Sequence, residues 1–253
     1  MAGSPERSVE RVLDLLEELA FWPYGVSLSD ISAAVDLNRT TVYRLLTVLI
    51  NKGFVLKDPE SSKYRLSMKL FELGSQGYNG RHILNVALPY LERLARKTNQ
   101  TICLAIQDAV DVVYLFKGES YNLGARTPIY VGLRAPMFCT GTGKSILADL
   151  PDEEIQSIWE RTAITQITPH TITTYLDFQK EIEQIRKQGY AIDHEEHDIG
   201  YCGIAASIYD VNGRPTASLG VSGSVKVLTC GKLVELAPEI KQAASEITRL
   251  IST

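Results

Sequence analysis

Asn38-Arg39-Thr40-Thr41-Val42-Tyr43-Arg44-Leu45-Leu46-Thr47-Val48-Leu49-Ile50 is the stretch on which the reading of this chain turns. Val42, Leu45, Leu46 and Leu49 recur at i, i+3, i+4 and i+7, the apolar stripe of a helix that packs on a core. Arg39, Thr40, Tyr43, Arg44 and Thr47 fall mostly on the opposite face, with no carboxylate among them. Asn38 is a favoured N-cap, which puts Arg39, Thr40 and Thr41 in the first turn. Donor-rich side chains at a helix N-terminus suit a polyanion. In a helix-turn-helix, that end of the second helix enters the major groove of duplex DNA.

The flanking residues complete such a unit. Val9, Val12, Leu13, Leu16, Leu19 and Ala20 form a first helical stripe, broken at Phe21-Trp22-Pro23-Tyr24-Gly25. Ser27-Leu28-Ser29-Asp30 has the S-x-x-D form of a helix start, continued by Ile31, Ala33, Ala34 and Val35. Asp36-Leu37 makes a short turn into the Asn38 helix, and Gly53 ends it. Phe54–Lys57 and Lys63–Leu66 then read as two strands around Asp58-Pro59-Glu60-Ser61-Ser62. Helix, helix, turn, helix, hairpin is a winged helix-turn-helix.

The overall charge runs against DNA binding. The 253 residues carry a net charge of −4, with 45% apolar and 22% charged residues, an ordinary globular balance with material for two cores. Counting locally resolves the conflict. Between residues 38 and 70, Arg39, Arg44, Lys52, Lys57, Lys63, Arg65 and Lys69 stand against Asp58 and Glu60, so seven minus two leaves +5 there and −9 elsewhere. Affinity for DNA follows the phosphates met by local cations rather than total charge. No apolar run approaches the ~20 residues of a membrane span, and the first residues lack the apolar core of a secretory signal. The expectation is a cytoplasmic protein that engages no membrane. Cys103, Cys139, Cys202 and Cys230 are widely spaced, which argues against disulfide frameworks and zinc ribbons.

Beyond the wing, Ser67–Leu73 reads as a short helix and a second helical stretch follows with Pro89 inside it. Residues 101–107 and 112–116 look like a hairpin, and residues 204–209 and 217–222 like adjacent strands about an Asn212-Gly213 turn. Helical patterns cover residues 141–150, 153–161, 175–188 and 233–250. A central antiparallel sheet flanked by helices is an α+β arrangement. The expected boundaries are 1–66 for the winged helix, 67–81 for a linker helix and 82–253 for the second domain.

Two clusters invite chemistry. Gly141-Thr142-Gly143-Lys144-Ser145 resembles a phosphate loop, but the position five before the Gly-Lys pair is Phe138 where the pattern needs glycine. What remains is a helix start whose free N–H groups could face a small anion such as a carboxylate. Asp193-His194-Glu195-Glu196-His197-Asp198 gathers potential ligands, yet its histidines are three apart and do not make the H-E-x-x-H zinc motif. A metal-responsive regulator using His194 and His197 is one alternative reading. An enzyme acting on a small acid is another, weakened because Ser145 lacks a G-x-S-x-G setting and no cysteine has a neighbouring histidine in sequence. No resident cofactor or structural metal is expected.

Ser8-Val9-Glu10-Arg11-Val12-Leu13, Leu28-Ser29-Asp30-Ile31, Thr41–Leu46 and Gly53-Phe54, followed by Thr140–Lys144, Gly189–Asp193 with Glu195-Glu196 and Gly200, then Ala205-Ala206 and Ser222-Gly223, resemble the IclR family of bacterial transcriptional regulators. The resemblance covers nearly the whole chain. It implies a winged helix-turn-helix joined by a linker helix to a GAF-like effector domain, homodimers or homotetramers on double-stranded operator DNA, and a small-molecule effector, often a carboxylic acid. The DNA contacts it implies are Ser29, Asn38, Arg39, Thr40, Thr41, Tyr43 and Arg44, with Lys63 and Arg65 on the wing. The effector pocket it implies comprises Ala135, Gly141, Thr142, Asp193, Cys202, Gly203, Gly220 and Ser222, with Gly124 and Thr127 on one wall. Two positions depart from the family's habit. Gly203 stands where Cys is common, with Cys202 displaced by one, and Gly220 stands where Ser is common. Both remove bulk, which predicts a roomier pocket and a larger effector, such as a sugar acid or an aromatic or dicarboxylic acid.

Overall fold

The computed structural model describes residues 5–77, 80–118 and 127–251 and divides the chain into two units, Met1–Asn79 and Gly80–Thr253. In the first unit, α1 (Pro5–Ala20), α2 (Leu28–Ala34) and α3 (Arg39–Asn51) pack around Leu15, Leu19, Ile31, Val42, Leu46 and Leu49. Ser27 starts α2 by accepting the Asp30 N–H at 3.2 Å, and Asn38 starts α3 by accepting the Thr41 N–H at 2.8 Å. The short strands β1 (Val55–Lys57) and β2 (Tyr64–Leu66) pair antiparallel, Val55 opposite Leu66. Val26 bridges to Tyr64 and ties the wing to the loop before α2. Asp58 holds the wing turn by accepting the Ser61 N–H at 2.7 Å and the Glu60 N–H at 3.1 Å, which lowers its pKa. α4 (Lys69–Gly77) closes the unit, continuing through Gly74.

In the second unit the elements run α5 (Gly80–Thr98), β3 (Thr101–Asp108), β4 (Asp111–Gly118), β5 (Arg134–Pro136), α6 (Gly141–Ala148), α7 (Asp152–Arg161), α8 (Tyr175–Gln188), β6 (Ala191–His194), β7 (Tyr201–Tyr209), β8 (Pro215–Ser224) and α9 (Cys230–Ile251). Among the described residues, six strands form one antiparallel sheet in the order β5-β4-β3-β8-β7-β6. The edge strands β5 and β6 carry only three and four residues, too short for a sequence pattern to reveal. Side chains alternate across the sheet. Ile102, Leu104, Ile204, Ile208, Leu219 and Val221 join α5 and α9 in one core. Cys103, Ala105, Val112 and Tyr114 face the layer of α6, α7 and α8.

α6 lies close on that second face, and the reason is local. Thr140 caps it by accepting the Gly143 N–H at 3.2 Å. A Cβ on Gly143 would sit 2.3 Å from Met137 Cα, so only glycine lets the helix approach the preceding turn. All eight residues of α6 are buried, Lys144 included. Among the described residues no helix is long and apolar enough to cross a membrane.

Candidate DNA-binding face and effector site

α3 displays the expected division of faces. Val42, Leu45, Leu46 and Leu49 are buried, while Asn38, Arg39, Thr40, Tyr43, Arg44 and Thr47 are exposed and Thr41 is half-buried. Ser29 is exposed on α2, and its Oγ accepts a hydrogen bond of 2.6 Å from the Arg39 guanidinium. That bond fixes the direction of the arginine at the start of α3. Lys63 and Arg65 are exposed on the wing. Lys69, counted in the +5 patch, donates from Nζ to the Lys52 carbonyl at 2.8 Å and so caps the C-terminal end of α3.

The second unit carries a polar cleft at the N-terminus of α6. Two adjoining hollows of about 40 and 30 Å³ share Tyr114, Ile129, Asp193 and Ser222. Gly141, Thr142, Gly203 and Gly220 line the first, and Ala135 lines the second. The backbone N–H groups of Gly141 and Thr142 are in the first turn of α6, where the helix itself offers no acceptor. Thr142 Oγ1 lies 3.3 Å from the Tyr114 hydroxyl, and Ser222 donates to the Cys202 carbonyl at 3.3 Å.

Asp193 sits opposite these donors. Its Oδ1 accepts the Glu196 N–H at 2.8 Å, forming a turn that drives Glu196 into the interior. There Lys144 Nζ meets Glu196 Oε1 at 2.5 Å and Glu181 Oε1 at 2.8 Å, with Lys144 wholly buried. Burial pulls the ammonium down, but the two carboxylates prevail and its pKa is raised. One cation facing two carboxylates leaves a surplus negative charge beside Asp193. Burial first, and repulsion from Glu196 second, push the Asp193 carboxyl up to about 7. Glu196 is raised too, chiefly by burial, while Lys144 opposes the rise. Burial pushes the Cys103 thiol up to about 12 against a lowering hydrogen bond with the Gly220 backbone, which leaves it inert.

The structure corrects several expectations. Cys202 does not line the cleft: it lies on the opposite face of β7, in the core under α9, and its Sγ donates to the Leu228 carbonyl at 2.7 Å. Thr127 is buried but lines neither hollow, and its carbonyl accepts from Lys117 Nζ at 3.4 Å. Gly124 lies outside the described residues. The glycines do not enlarge the pocket either. A Cβ on Gly220 would meet Cys103 Sγ at 2.8 Å and Thr142 Cγ2 at 3.0 Å, and one on Gly203 would meet the Val221 carbonyl oxygen at 2.9 Å. The missing bulk is already filled by neighbours, so the ground for a larger effector is gone. His194 and His197 do not converge on a shared ion site. The His194 ring stacks on His170 at 6.4 Å, while His197 Nδ1 lies 2.6 Å from Asp198. Among the described residues no group of three or more His, Cys, Asp or Glu could hold a metal ion.

Tyr114 was missed from the sequence as a site residue, although alternation along β4 puts it on the same face as Val112. Ile129 and Tyr201 were missed as well, and both sit outside any recognisable motif.

Residues 8–59 match the helix-turn-helix domain of IclR, and residues 76–249 match the C-terminal part of this bacterial transcriptional regulator. The chain belongs to the IclR family. It is 32% identical over 248 residues to the HTH-type transcriptional repressor AllR of Escherichia coli K12, covering 98% of this chain and 91% of the relative. The IclR crystal structure from Thermotoga maritima superposes with a TM-score of 0.81 at 30% identity, covering 98% of this chain and all of that one. An IclR homologue from Microbacterium hydrocarbonoxydans, complexed with 4-hydroxybenzoate, shares the fold at a TM-score of 0.84 and 21% identity, over 96% of this chain and 98% of that one. As an IclR-family member the chain is a DNA-binding transcriptional regulator with an effector-binding C-terminal domain, and not an enzyme.

Proposed function

We propose that this chain is a transcriptional repressor whose hold on operator DNA is set by a small carboxylic acid bound at the N-terminus of α6. The observation that carries the effector class is the convergence of Gly141 and Thr142 N–H groups, the Thr142 and Tyr114 hydroxyls and a readily protonated Asp193 on one cleft. The helix N-terminus and hydroxyl donors stabilise a carboxylate. Protonated Asp193 adds a donor at Oδ2, since its hydrogen bond to the Glu196 N–H is taken by Oδ1. Hollows of about 40 and 30 Å³ favour an acid of two to four carbons over an aromatic one. Repression is carried over from the AllR relatives, which are named repressors.

On the DNA side, Arg39, Thr40, Thr41, Tyr43 and Arg44 enter the major groove, with Ser29 and Asn38 orienting them and Lys63 and Arg65 placing the wing on phosphates. A homodimer, or a pair of dimers, presents two α3 helices to half-sites about 34 Å apart. For an effector to switch such an assembly it must bind one of its states more tightly than the other. Thermal shifts of the full chain with glyoxylate, pyruvate, succinate and 4-hydroxybenzoate test the reading, followed by mobility shifts on a duplex selected from random sequence. A small acid should raise the melting temperature and change DNA affinity. Preference for 4-hydroxybenzoate, or stabilisation with no change in DNA binding, would sink it.

A further inference from the structure

A second hollow, of about 260 Å³, lies at the other end of α6, and sheet register creates it. β6 pairs with β7 only from Cys202 to Ala205. Continuing that register would set Gly189 opposite Ser207, but Gly189 has turned off into the left-handed cap of α8, with φ 75°. β7 therefore runs on past Ala205 as an open edge among the described residues. Open edges present unpaired backbone donors and acceptors. Thr248 Oγ1 takes the Tyr209 N–H at 3.1 Å. Ser207 lines the hollow and is nine-tenths buried, and its Oγ has no partner among the described residues. A buried hydroxyl left unbonded is costly, so something that bonds it is favoured.

The charges of the lining cancel. Lys241 donates to the Gln188 carbonyl at 2.7 Å, and Asp149 accepts from the Tyr209 hydroxyl at 2.8 Å. Both lie at the C-terminal ends of α6 and α8, the negative ends of the helix dipoles, which disfavour an anion. What remains is hydroxyl chemistry that cannot neutralise an ion: Ser207 and Ser245 can donate and accept, while Ser145 and Thr248, whose hydroxyls already bond the Thr142 and Ala244 carbonyls, can only accept.

We propose that this hollow is a second ligand site, separate from the acid cleft, for a small uncharged polyhydroxyl compound of the sugar or polyol type. Calorimetric titration of the full chain with xylitol, myo-inositol and D-glucose tests it. At least one should bind once per chain. Ser207→Ala should weaken that binding about tenfold without lowering the melting temperature of the free protein, because it removes an unbonded hydroxyl. Ser245→Phe, at an exposed rim position, should block it, and Asp193→Asn should leave it unchanged. Failure of all three compounds to bind would overturn the proposal. So would binding that survives both Ser207→Ala and Ser245→Phe, binding lost in Asp193→Asn, or a clear destabilisation by Ser207→Ala.

Discussion

Asp193→Asn isolates the proton on which the proposed acid binding depends. The carboxyl is held near 7 by burial and by Glu196, so wild type is half-protonated at neutral pH. If an ionised acid binds only beside the neutral carboxyl, the apparent dissociation constant scales as one plus ten to the power of pH minus 7. That quantity rises about tenfold between pH 6 and pH 8. Isothermal titration with pyruvate, whose own carboxyl stays ionised throughout, should show the rise in wild type and a flat profile in Asp193→Asn. The same variant carries a stability signature of fixed sign. A folded pKa raised above 3.8 contributes stability that is full below 3.8 and lost as pH climbs through 7. Replacing the group with a permanently neutral amide should therefore stabilise the protein at pH 8 and do little at pH 4. The ceiling is roughly 4 kcal/mol at 1.36 kcal/mol per pH unit, reduced because the cleft admits solvent. Glu196, His197 and Lys144 also face this carboxyl, and any slope left in the variant reports on them. A wild-type affinity that is flat from pH 6 to 8, or an equal slope in both proteins, would refute the reasoning.

Three further outcomes follow from the geometry. Lys144→Met strands the buried Glu196 carboxylate and unpairs the half-buried Glu181, and should cost about 3–5 kcal/mol in denaturant unfolding of the full chain. Arg44→Ala should weaken a selected operator by about 1–3 kcal/mol and relax preference at one base position, whereas Lys63→Ala should weaken all duplexes alike and reduce the salt slope by about 1, both read by fluorescence anisotropy. Gly220→Ser places a Cβ 2.8 Å from Cys103 Sγ, so it should lower the melting temperature and impair acid binding together, and the companion Cys103→Ala should restore part of both.

The first unit was legible in the sequence because its signals are local. Asn38 and Ser27 act through hydrogen bonds spanning three residues, and the stripe of Val42 to Leu49 repeats within one helix. The α+β layering was legible for the same reason, from long helices and the long strands β3, β7 and β8. β5 and β6 were not, because three or four residues at a sheet edge are placed by partners such as Val112 and Gly203 rather than by their own pattern. The Gly141-Thr142-Gly143-Lys144 stretch was recognisable as a helix start, but its lysine was not recognisable as a buried ion. Only the fold brings Glu181 and Glu196 to it, 37 and 52 residues away in sequence.

The pocket size went astray for a reason that applies to any site built on a sheet. In a strand, a displacement of one residue exchanges the two faces. Cys202, one position from the family's usual cysteine, is therefore a core side chain under α9 rather than a shifted wall of the cleft. Gly203 then takes the cleft-facing place on β7, where the Val221 carbonyl leaves no room for a Cβ. On the neighbouring strand pair, Gly220 stands opposite Cys103, whose sulfur occupies the space a serine would have used. Bulk lost at one register position is regained at its cross-strand partner. The volume of such a cleft is thus a property of paired positions, and the pair Gly220 and Cys103 argues for a small acid where either residue alone would not.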